Sequence, residues 1–132
     1  MRKALWVLAL LLVAGAAAPL YAQEGPSATL AVCRAIENRA CEGAATTFPV
    51  SVGKLWAFSQ ATNVPDRIVQ VWFHGNSEIG RAVTKSPAAK GSWRTWSSMT
   101  VGSNLIGECR VEARDANGNV LATATFTIVK SD

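Results

Sequence analysis

One histidine, His74, occurs in the 132-residue chain. A Cys–His or Ser–His pair would have to use it, because a base must lie within hydrogen-bond reach of the nucleophile it activates. The cysteines are Cys33, Cys41 and Cys109. Cys109 alternates with charged neighbours over residues 107–114, so it points inward and reads as inert packing rather than as a nucleophile. His74 stands next to Gly75-Asn76, a tight turn where exposed histidines are common. A copper centre of two histidines and one cysteine lacks its second histidine. Asp115, Asn117 and Asn119 alternate as calcium ligands do, but Gly118 comes too early and Phe126 takes the place of the bidentate glutamate. A hairpin turn accounts for these residues better. The expectation is a protein without catalytic residues, metal or cofactor.

Binding chemistry is better represented. In an extended chain side chains alternate between two faces, so residues 92–98 put Trp93, Thr95 and Ser97 on one face and Arg94, Trp96 and Ser98 on the other. Met99 and Val101 extend the first row, which therefore reads as core. That leaves Trp96 outside, near enough to Arg94 for a guanidinium to stack on an indole. Residues 67–74 carry the clearest period of two. Val69, Val71 and Phe73 form one wholly apolar row, and Ile68, Gln70, Trp72 and His74 form the other. With the first row inward, Gln70, Trp72, His74, Arg94 and Trp96 become the candidate ligand-binding residues of one sheet face. Such a patch suits sugar rings, or a protein partner anchored by Trp and Arg.

The elements needed to position that patch are strands. Residues 28–37, 48–60, 67–74, 78–85, 92–101, 107–114 and 120–129 each read as extended, about seven strands, separated by turn signals every ~8–12 residues. Within the second of these, Val50, Val52, Trp56 and Phe58 share a register. Gly75-Asn76 suits a two-residue hairpin with glycine first. No stretch after Ala22 has a helical period of useful length. The fold class expected is all-β: a single antiparallel β-sandwich of immunoglobulin/fibronectin type.

Residues 1–22 read as a signal peptide. Arg2 and Lys3 precede an uncharged apolar run from Ala4 to Ala18, and Leu20-Tyr21-Ala22 offers a small residue at the cut. The alternative is an uncleaved membrane anchor through residues 4–22, close to the ~20 residues that span a bilayer. Residues 23–27 form a mobile lead-in and 28–132 the sandwich domain. Cleavage of 22 of the 132 residues leaves 110, enough for one domain. It also removes Arg2 and Lys3, so the full chain's net +4 falls to +2. With no basic run, a nucleic-acid footprint is not expected. Outside the cytoplasm a disulfide is allowed. Three pairings are open; Cys33–Cys41, closing a short loop, is preferred over Cys33–Cys109, with Cys109 left as a buried thiol.

The block Trp93-Arg94-Thr95-Trp96-Ser97-Ser98 resembles the Trp-Arg-x-Trp-Ser-Ser block of a bacterial family, domain of unknown function 2914. Arg39, Phe48, the Trp72 of a His-x-Trp pair, and a Gly-x-Trp-x-Val … Phe ending over residues 107–126 agree in order. Gln70 stands where that family has histidine, Cys109 where it has tryptophan, and Ala40-Cys41 in place of Glu-Pro. The resemblance implies a small exported or membrane-tethered β domain and supplies no activity. Residues and resemblance together lead to one expectation: a periplasmic or extracellular, non-enzymatic interaction module that binds an envelope protein or a glycan. The competing expectations are a small envelope hydrolase or accessory enzyme using His74, and a structural spacer.

Overall fold

Alternating apolar residues and punctuating turns place nearly every described residue in strands or tight connections. The computed structural model describes residues 25–87 and 91–131; the expected signal peptide, residues 1–22, lies outside them. Seven long strands are β1 (Ser27–Cys33), β5 (Lys54–Thr62), β6 (Arg67–His74), β7 (Ser77–Lys85), β8 (Ser92–Thr100), β9 (Gly107–Arg114) and β10 (Val120–Val129). Three short ones are β2 (Ala35–Glu37), β3 (Ala40–Glu42) and β4 (Thr47–Pro49). Single 3-10 turns occupy Val50–Val52 and Ser103–Leu105. No helix among the described residues is long and apolar enough to cross a membrane.

The strands form two packed sheets, ordered β1-β5-β8 and β4-β10-β9-β6-β7, with β2-β3 as a separate hairpin. This is the expected β-sandwich of immunoglobulin/fibronectin type. The pairings are antiparallel except for β4, which runs parallel to the end of β10. Leu55, Ala57, Val32 and Val101 meet Phe48, Trp72, Val111, Phe126 and Ile128 in the larger core cluster. A second cluster of Ala61, Val64, Ile68, Trp93 and Ala113 fills the other part of the interior. The β6–β7 turn is the expected two-residue one, with Gly75 at φ 59°, a conformation that glycine enters freely. Asp115 Oδ1 accepts the Asn117 and Asn119 amides, both at 2.9 Å, closing the β9–β10 turn as expected.

One expectation is inverted. Ile68, Gln70 and Trp72 of β6 face the interior, while Val69, Val71 and Phe73 lie on the outside of the five-stranded sheet. The physical reason is that both faces of β6 are covered, one by the opposing sheet and the other by arginine side chains from the neighbouring β9. Outside, the Arg110 guanidinium lies 3.9 Å from the Phe73 ring centroid and Arg114 lies 5.8 Å from it. Long arginine stems shield apolar surface while their charges stay wet. A strand buried on both faces shows no reliable polar row, so its orientation has to come from its neighbours.

Candidate functional site

Gln70 and Trp72 are each 2% exposed, so they are not part of an open surface. Instead they form a hydrogen-bonded bridge between the sheets. The Trp72 indole Nε1 donates to Ser97 Oγ at 3.2 Å, and the Ser97 hydroxyl donates to Gln70 Oε1. Gln70 Nε2 then donates to Ser59 Oγ at 2.9 Å and to the Ala57 carbonyl at 3.2 Å. Buried polar groups need partners of this kind. Among the described residues, Trp93 Nε1 is the one buried side-chain nitrogen or oxygen without one.

His74 lies at the end of β6, with Nε2 3.0 Å from the Ile106 carbonyl oxygen. Cys109 is its cross-strand neighbour. The Cys109 thiol donates to the Leu105 carbonyl at 3.6 Å, and burial pushes its pKa up, away from the thiolate a nucleophile requires. Both side chains are engaged with backbone rather than with each other.

Arg94 and Trp96 stand where the sequence places them, on the outer face of the three-stranded sheet, with Trp93 and Thr95 buried behind them. Register supplies their company. Phe58 is opposite Trp96, Gln60 opposite Arg94, and Trp56 opposite Ser98. The Phe58 and Trp96 rings are parallel within 8°, centroids 6.1 Å apart. Lys54 Nζ lies 5.6 Å from the Trp56 ring centroid. The β2–β3 hairpin carries Arg39 across this face, its Cζ 5.4 Å from the Trp96 centroid. Arg94 Nη1 donates to the Arg39 carbonyl at 3.0 Å. The Cys33–Cys41 disulfide fastens the hairpin to the sheet, with the two Cα atoms 5.8 Å apart. Of the pairings left open by the sequence, this is the preferred one, and Cys109 is the free, buried thiol.

Trp56, Phe58, Lys54 and Arg39 were not among the sequence candidates. A signal for three of them was available. Lys54 and Gln60 occupy the same alternate row as Trp56 and Phe58, whereas Leu55, Ala57 and Ala61 occupy the other, which marks the aromatic row as the wet one. Arg39 depends on the disulfide-fastened hairpin and carries no comparable local signal.

The two outer faces differ in electrostatics. On the five-stranded sheet, Glu112 accepts from Arg110 Nε at 3.1 Å and from Arg114 Nε at 2.9 Å. The Arg114 bond, followed by the Arg110 bond, holds the Glu112 carboxyl below its usual pKa against the opposing effect of burial. Cations and anion there satisfy one another. On the three-stranded sheet, no ion pair among the described residues involves Lys54, Arg39 or Arg94. The arrangement is an aromatic row edged by cations without acidic partners among the described residues.

Fold and face together define a β-sandwich module of immunoglobulin/fibronectin type. The family model described as "Protein of unknown function (DUF2914)" matches residues 65–128, so this part of the chain is similar to that family. The match takes in Arg94 and Trp96 and leaves Arg39, Phe48, Trp56 and Phe58 outside it. No curated protein matches the chain. Among solved structures, the chain is similar to the CARDB domain of a Pyrococcus furiosus protein crystallised in complex with di-metal ions. That similarity has 14% identity and a TM-score of 0.47, and covers 80% of this chain and 94% of the other.

Proposed function

We propose that the protein is an exported, non-enzymatic binding module that takes a cell-envelope glycan on the outer face of the β1-β5-β8 sheet. The observation that carries this reading is the parallel Phe58–Trp96 pair, half-buried and bordered by Trp56 and three cations without acidic partners. The apolar side of a sugar ring lies well against such rings, and hydroxyls can bond the Thr29, Gln60, Ser98 and Thr100 side chains of the same rows. A protein partner is the second class. The glycan is favoured because the exposed large aliphatic residues, Val83, Ile106, Val120 and Val129, all lie on other elements.

The test is titration of the exported protein with a panel of soluble polysaccharides, followed by tryptophan fluorescence and affinity electrophoresis. Saturable binding that Trp96→Ala and Phe58→Ala abolish, with the circular-dichroism spectrum unchanged, supports the reading. Binding that survives both substitutions overturns it, and capture of a single envelope protein dependent on Trp96 would replace the glycan with that protein. Export is checked separately: an intact mass still containing Met1 to Ala22 refutes the cleaved signal. A hydrolase reading predicts that His74→Ala alters an envelope phenotype that Trp96→Ala leaves alone.

A further inference from the structure

We propose that Arg39 is the ligand-reading residue of this face and that it selects glycans bearing carboxylates, an inference that rests on the platform reading above. It begins with backbone conformation. Asn38 and Arg39 connect β2 to β3 as a two-residue turn, with φ of 51° and 61°. A hairpin turn with both central residues at positive φ takes asparagine followed by glycine by preference. Asn38 fits. Arg39 stands where glycine is favoured and where a Cβ is crowded by the backbone. The other described non-glycine residues at positive φ are Asn38, Asn63 and Asp66, the types that tolerate it. Arg39 is the outlier.

Little in the resting fold accounts for that choice. The hydrogen bond from Arg94 goes to the Arg39 main-chain carbonyl, which glycine would also offer. What the side chain adds is a guanidinium over an indole in an exposed setting, a weak stabiliser. Strained residues of this kind persist where a site needs their side chains. The setting also leaves the charge available. Ile36 pairs with Cys41, and Cys41 bonds to Cys33 on the sheet, so this side of the hairpin faces the platform. By alternation Glu37 and Glu42 project from the opposite side. A guanidinium held in place, unpaired and beside a ring matches a planar carboxylate bidentately, while the attached sugar lies against the aromatic row. Arg94 and Lys54 continue the positive border along the same face, so a polymer with repeated carboxylates fits better than a single acid.

The experiment compares full-length exported wild-type protein with Arg39→Gly and Arg39→Asn, both of which suit positive φ. Each is titrated with polygalacturonate, with the same polymer methyl-esterified to mask its carboxylates, and with poly-glutamate. Melting temperature is measured alongside. The expected result is a melting temperature equal to or above that of wild type, with affinity for polygalacturonate reduced about tenfold or more, the scale of one lost charge-assisted contact. Affinity for the ester should be weaker and unchanged by either substitution. A lowered melting temperature with unchanged affinity overturns the proposal, since Arg39 would then only shield Trp96. Equal binding of acid and ester by wild type also overturns it while leaving the platform reading intact. Failure of both polymers to bind overturns this inference, and the platform reading falls with it only if the wider polysaccharide panel also fails to bind. Arg39-dependent binding of poly-glutamate at least as tight as polygalacturonate assigns the site to an acidic peptide instead.

Discussion

Gln70 Nε2 donates to Ser59 Oγ at 2.9 Å, joining β6 of the five-stranded sheet to β5, the central strand of the three-stranded sheet, through the interior. The same amide accepts from Ser97, which in turn accepts from Trp72, so three strands share one polar chain. Buried hydrogen bonds stabilise modestly when made and cost more when one partner is removed. Gln70→Leu strands the Ser97 and Ser59 hydroxyls and the Ala57 carbonyl, and should lower stability by about 2–4 kcal/mol. Urea denaturation checks this. Adding Ser59→Ala to Gln70→Leu should recover part of the loss, because one unpaired hydroxyl is removed, while Ser97 is kept as the acceptor for Trp72 Nε1. No recovery would mean that the cost is one of shape.

The tryptophans of β6 and β8 should separate cleanly by stability. Trp72 is inside, edge-on to the Phe126 ring at 86° and 6.2 Å, and Trp72→Ala should cost about 3–5 kcal/mol. Trp96 is half-buried on the outer face, and Trp96→Ala should cost roughly 1–2 kcal/mol through lost area against Phe58. Equal losses in denaturant titrations would place Trp96 in the core and remove the platform.

Much of the sandwich was legible because most strands have one dry and one wet face. In β9, Cys109, Val111 and Ala113 alternate with charged residues, and the structure follows that pattern. In β8, Trp93 and Thr95 face in while Arg94 faces out, again as the alternation implies. β6 defeated the same logic. Its outer row is apolar because Arg110 and Arg114 cover it, and its inner row holds a glutamine because Ser59 and Ser97 satisfy that residue. Neither compensation is visible within eight residues of one strand. Gln70 and Trp72 left the candidate patch with that inversion. Arg94 and Trp96 stayed, joined by Trp56 and Phe58 from β5 and by Arg39, a residue distant from Trp96 in sequence. Cross-strand register and a disulfide bring those groups together, and no single segment encodes either.

The cysteines should behave as two classes. Cys41 is half-buried and its disulfide to Cys33 closes a short loop, so Cys41→Ala should cost about 2–3 kcal/mol by loop entropy. The sandwich should survive, since the hairpin lies outside both main sheets. Cys109 is 5% exposed with its thiol pKa raised by burial. Iodoacetamide at pH 8 should therefore leave Cys109 unlabelled in the native protein and label it once urea unfolds the chain. Rapid native labelling would contradict the inward orientation of β9 and reopen a nucleophilic role.

Acid should weaken the fold through Glu112. Its carboxyl is 12% exposed and hydrogen-bonded by Arg114 and Arg110, and its pKa in the folded protein is lowered by these bonds. A group with a depressed folded-state pKa binds its proton more readily when unfolded. Its contribution is therefore full at neutral pH and is lost as the pH falls below the ordinary glutamate range toward the lower folded value. Glu112→Gln should reduce stability at pH 7 by about 1–2 kcal/mol, the size of a partly shielded charge-assisted network. The gap between the two proteins should close at acid pH. Glu78, held low mainly by its Arg81 bond, and Asp115, held low mainly by the Asn119 amide, are intact in both proteins, so their acid sensitivity cancels in the comparison. Melting temperatures from pH 7 to pH 3 measure that gap directly. A difference that stays constant with pH would show that the glutamine lost packing rather than charge, and that the arginines over Phe73 hold their places without the carboxylate between them.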